Sequence, residues 1–143
     1  MFKWLAKRGI TKFEKHYRYD ASYLKDLLRF SFQGLLKFNR FRSMAMYRKK
    51  TPVDVYYVAK LVAMQTEDCG TCLQLTVRQA LEAGVSSKVL NAALKGAEKL
   101  PNHLRDIYSF AQSVASNTPE TYQFRESLRK RYGNEVLAEL ALC

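Results

Sequence analysis

The chain has 143 residues, 48% of them hydrophobic and 26% charged. That is long enough to bury a core without disulfide support and too apolar for a disordered protein. Three prolines and six glycines are few for a β-protein with many turns, so an all-α, single-domain helical bundle of about seven or eight helices is expected.

Charge is distributed unevenly. Residues 1–50 hold 14 Lys or Arg against only Glu14, Asp20 and Asp26, and the rest of the chain is balanced, so the whole excess of +11 lies in the first third. Such asymmetry suggests an anionic partner for that part, in competition with a merely solvated basic face. The chain therefore divides into a basic, aromatic-rich N-terminal segment, residues 1–50, and a helical core, residues 51–143, within one domain.

Met1 to Arg18 reads as a short basic helix or arm, separable from the fold, with Phe2, Trp4, Leu5, Ile10 and Phe13 set among lysines. Lys3, Lys7, Arg8 and Lys12 interrupt any run of signal-peptide type, and no uncharged stretch approaches the ~20 residues of a membrane span. A cytoplasmic protein is expected, with weak contact to an anionic membrane surface through this segment. No nucleic-acid motif accompanies the charge, which argues against sequence-specific reading of DNA or RNA. One longer helix is expected from about Asp20 to Met46, where Leu24, Leu28, Leu35 and Phe38 share a face. The many aromatics here read as packing before they read as base-stacking platforms.

Thr51-Pro52-Val53-Asp54 signals a helix start, with Thr51 as N-cap and Pro52 at the first position. Val55, Val58, Ala59 and Val62 lie on one face of that helix, and Tyr57 reads as core with a second possibility as hydrogen-bond donor near the cysteines. Asp68 is the expected N-cap of the next helix, which Gly84 ends. Ser86 caps a helix from Ser87 to about Lys99, and Pro101-Asn102 opens another with His103 at its surface. Thr118-Pro119-Glu120 opens a helix through Arg131, and Glu135 to Leu142 closes the chain before an exposed Cys143.

The chemistry-bearing stretch is Glu67-Asp68-Cys69-Gly70-Thr71-Cys72. Two thiols three positions apart on a first turn can approach each other, and a helix N-terminus favours negative charge. Both effects support a reversible dithiol/disulfide, against the alternative of two small buried hydrophobes. Three cysteines do not make a secreted disulfide framework, and a reducing cytoplasm fits better. Zinc would need further ligands, and only His16, His103 and Cys143 remain at unpatterned positions. Neither metal nor cofactor is expected.

Cys69-Gly70-Thr71-Cys72-Leu73-Gln74-Leu75, followed by Ala80-Leu81-Glu82-Ala83-Gly84-Val85-Ser86, resembles the AhpD-like, or carboxymuconolactone decarboxylase, family. The resemblance runs from about Thr51 to about Ala115. It implies an all-helical homo-oligomer with the motif helix central and largely buried. It further implies a peroxide or disulfide substrate and an external thiol reductant. In that scheme Cys72 attacks the oxidant as a thiolate and Cys69 resolves the sulfenic acid, whereas the helix dipole alone favours Cys69 as the reactive thiol. Peroxidase-type members carry a histidine where this chain has Thr76 and a glutamate where it has Tyr57. Glu67 is the candidate for a displaced proton shuttle, although carboxylates beside a thiol also raise its pKa. The competing reading is a non-catalytic oligomeric module of the same fold, its basic segment binding an anionic partner. Decarboxylase or lactone chemistry ranks last, because no histidine accompanies the motif.

Overall fold

The computed structural model describes residues 2–143, and among them every regular element is helical. The chain forms two compact units that part between Met46 and Tyr47.

In the first unit, α1 (Phe2–Tyr17), α2 (Ser22–Phe30) and α3 (Phe32–Ala45) enclose a small core of Ile10, Ala21, Leu24, Leu28 and Leu35. Phe13 packs onto this core, meets the Tyr19 ring edge-on at 5.9 Å and lies under the Arg42 guanidinium. Tyr19, Phe32 and Phe38 pack on the same core, whereas Tyr23, Phe30 and Phe41 stay exposed. α1 is accordingly no separable arm, since its Ile10 and Phe13 belong to the unit's core. The single helix expected from Asp20 to Met46 is two helices. Ser31 adopts an extended backbone (φ −150°), and its hydroxyl accepts the Gly34 N–H at 2.9 Å, capping α3. Gly34 permits that approach, because a Cβ there would sit 3.0 Å from the Ser31 hydroxyl oxygen.

The second unit is built around α4 (Val53–Thr66), which packs against α5 (Gly70–Glu82), α6 (Ser87–Lys95) and α7 (Asn102–Ala115). α8 (Thr121–Tyr132) packs on α7, and α9 (Asn134–Leu142) packs on α8. α4 buries Val55, Tyr56, Tyr57, Val58, Ala59, Leu61 and Val62, so it is apolar almost all round, the pattern of a fully enclosed helix. The central helix is thus α4. The motif helix α5 is peripheral by comparison: it buries Thr76, Gln79 and Ala80, half-buries Leu73 and Val77, and leaves its first turn open.

Boundaries shift for local reasons. Gly96, at φ 117°, stops α6 four residues before the expected Lys99, and a 3-10 turn, Ala97–Lys99, follows. The N-cap of α4 is Pro52, not Thr51. Thr51 is instead engaged by Glu139 of α9, one of the few buried charges, only 3% exposed. The Glu139 carboxylate accepts the N–H groups of Lys49, Lys50 and Thr51 at 2.9 Å each, and the Thr51 hydroxyl at 2.6 Å. The last helix thereby fixes the segment that leads into the central one.

Candidate redox site at the start of α5

The turn between α4 and α5 is set by two overlapping helix ends. The Cys69 N–H donates to the Met64 carbonyl and the Asp68 N–H to the Gln65 carbonyl, both at 3.2 Å. That is the paired hydrogen-bond pattern of a Schellman C-terminus, which requires a left-handed residue between the two helices. Asp68 takes that role at φ 51°. It therefore cannot be the N-cap of α5. Cys69 is the N-cap, and its carbonyl accepts the Leu73 N–H at 2.8 Å. One cysteine backbone thus ends α4 and begins α5.

Cys72 follows at the third helical position, on the same turn. Cys69 and Cys72 are joined by a disulfide, with Cα atoms 5.3 Å apart. Both are half-buried, while Glu67, Asp68, Gly70 and Thr71 around them are exposed. The pair is anchored by backbone and still reachable by a partner molecule. Its neighbourhood is polar and acidic, with the first-turn N–H groups of α5 as the opposing favourable influence on a thiolate.

Of the remaining candidate residues, Glu67 stays beside the pair in sequence, whereas Thr76, Tyr57 and His103 are directed elsewhere. Glu67 is the C-cap of α4 and exposed. Thr76 shares the helix face of Cys72 but is 3% exposed, turned into the core. Tyr57 stands near the other end of α4, about 14 Å along its axis from Thr66. Burial raises the pKa of its hydroxyl, with Arg48 acting against and Glu82 with that rise. Glu82 closes α5, so Tyr57 belongs to the far end of the helix pair. His103, the one histidine of this unit, faces Asp54 (Nε2 to Oδ2, 3.2 Å) in the first turn of α4, again remote from the thiols. Cys143 is half-buried rather than exposed. Burial pushes its thiol up, Lys60 opposes that, and its Sγ donates to the Leu140 carbonyl at 3.3 Å. It is the free cysteine of the described residues and lies outside the motif.

Asp68 supplies a direct test of the local electrostatics. Asn tolerates the left-handed region and carries no charge. Asp68→Asn should lower the titration midpoint of the reduced thiols by roughly half a unit, the scale of one solvated charge at close range. Ultraviolet thiolate absorbance against pH measures it; superimposable curves would show that the carboxylate does not act on the sulfurs.

Among the described residues no three His, Cys, Asp or Glu side chains gather at a metal-binding arrangement, and no helix is long and apolar enough to cross a membrane. No protein-family model, curated protein or solved structure matches the chain.

Proposed function

We propose that the chain is a thiol–disulfide oxidoreductase of the AhpD-like type, working in a reducing cytoplasm as a homo-oligomer. The observation that carries this reading is the Cys69–Cys72 bridge on the accessible first turn of α5. With a peroxide as oxidant, one thiolate attacks an oxygen, the O–O bond breaks, and the alkoxide or hydroxide leaves and takes up a proton. The attacking sulfur becomes a sulfenic acid. The second thiolate then displaces its hydroxyl, which departs as water, and the S–S bond forms. An external dithiol returns two electrons and two protons by exchange. In the order that the resemblance implies, Cys72 attacks and Cys69 resolves.

The family's histidine has no counterpart at its position, where Thr76 is buried and cannot act as a base, and His103 lies beside Asp54. Glu67, exposed next to the motif, is the one candidate shuttle left. Turnover should therefore be slow at neutral pH and rise toward the ordinary thiol pKa of roughly 8.5, because the fraction of thiolate limits the rate. The same observation favours a second reading, in which the bridge is a fixed staple in a non-catalytic module. Turnover separates the two, and the first requirement of the redox reading is that the thiols react at all. Peroxide added to the reduced protein should close the Cys69–Cys72 bond, reversibly with dithiothreitol, leaving Cys143 reduced by mass mapping. If Cys143 alone is modified and both motif thiols persist, the redox reading is overturned.

A further inference from the structure

α1 buries one face and leaves the other uncovered. Ile10 is inside, with Ala6 and Phe13 packed beside it. Its single acid, Glu14, is neutralised within the unit, paired with Lys25 and accepting the Ala21 N–H at 3.2 Å. The outer face is left purely cationic: Lys7, Arg8, Lys12 and Lys15, with Trp4 and Thr11, line a shallow trough of about 560 Å³. Beside it, on the first turn, three large apolar side chains stand in water: Phe2 is 76% exposed, Trp4 61% and Leu5 53%. The Arg8 guanidinium lies over the Trp4 ring, 5.5 Å from its centroid.

An apolar tip next to an uncompensated basic band matches the two layers of an anionic bilayer surface. We propose that α1 docks on anionic phospholipid membrane. Phe2, Trp4 and Leu5 enter the boundary between headgroups and acyl chains, and Lys7, Arg8, Lys12 and Lys15 meet the headgroups. Tryptophan suits that boundary, where its ring is apolar and its N–H remains wet. Single-stranded nucleic acid fits less well, because stacking platforms need aromatics spread along the cationic track, whereas these sit together at one end.

Trp4 is the only tryptophan of the chain, so its fluorescence reports the event directly. Full-length protein is titrated at low salt with vesicles of phosphatidylcholine, with or without phosphatidylserine. A blue shift of Trp4 emission and protection from iodide are expected with the anionic vesicles alone, reversed by salt. Each basic residue near such a surface is worth about fivefold in partitioning, so Lys7→Glu with Lys12→Glu should weaken binding by at least about 25-fold. Trp4→Ala should weaken co-sedimentation as well. These side chains are exposed, and unchanged far-ultraviolet circular dichroism in each variant verifies the fold; deletion of the helix is unsuitable because Ile10 and Phe13 are core. Unaltered Trp4 emission without co-sedimentation would overturn the proposal. So would equal binding to neutral vesicles, or association with an oligonucleotide but not with vesicles.

Discussion

Glu139→Gln should lower the melting temperature at neutral pH by about 5–10 °C and abolish an acid-sensitive part of the stability. Burial alone would raise the Glu139 carboxyl, but the Thr51 hydroxyl and the N–H groups of Thr51, Lys50 and Lys49 outweigh it and hold the pKa at about 2. All of these groups donate, so a carboxylate suits the site and an amide does not. The glutamine NH₂ would either confront backbone N–H groups or leave donors unpaired in a buried position. The pH dependence has a fixed sign. A folded-state pKa below the unfolded one means that the unfolded chain binds the extra proton, so this contribution is complete above the unfolded carboxylate range. It drains away as pH falls from about 4.5 toward about 2. Wild-type melting temperature should fall through that window, while the variant should begin lower and lack this share of the slope. Melts followed by circular dichroism at neutral and acid pH test it; coincident wild-type and variant curves at neutral pH would refute the anchoring role.

Glu139 also marks where the sequence stops being informative. Its neighbours Val136, Leu137, Ala138, Leu140 and Leu142 announce an apolar helix, and a lone acid within them reads as the polar face. Nothing local says that its partners are three backbone N–H groups some 90 positions earlier. Thr51 is misread for the same reason: before a proline it satisfies every local rule for an N-cap, yet its hydroxyl is claimed by a distant carboxylate. Local rules work where the partners are local. Asp68 and Gly84, on either side of α5, show both outcomes. Each ends a helix in the same paired hydrogen-bond pattern with positive φ. Gly84 advertises this by its residue type, whereas Asp68 looks like an N-cap and hides the left-handed turn. Ser31 could have been found, since a Ser-x-x-Gly spacing inside a long helical pattern offers both a cap and the space for it. The all-helical class, the C-x-x-C at a helix start and the core positions of α4 follow from period and spacing alone. The peripheral placing of α5 does not, because which of two apolar helices lies inside depends on what packs on both sides.

Cys72→Ser should reduce peroxide turnover by about a thousandfold or more, the scale on which a removed nucleophile is felt. Cys69→Ser should reduce steady-state turnover comparably but leave one oxidation event intact. With Cys72 attacking, the Cys69→Ser protein must stop at a sulfenic acid on Cys72, which dimedone traps as a stable thioether. The Cys72→Ser protein should give no adduct at Cys69. The reverse pattern, an adduct at Cys69 in the Cys72→Ser protein, would assign the attack to the N-cap thiol, as the dipole argument favours. Loss of folding does not imitate either result. The bridge closes so short a loop that chain-entropy arguments give it only about 2 kcal/mol, and both residues are half-buried at a helix end rather than in the core. Matching thermal melts for reduced wild type and both variants verify this, because in the reduced state the bridge contributes nothing. If both variants turn over like wild type, the sulfurs are not the reacting atoms, and the bridge is a staple on an otherwise non-catalytic fold.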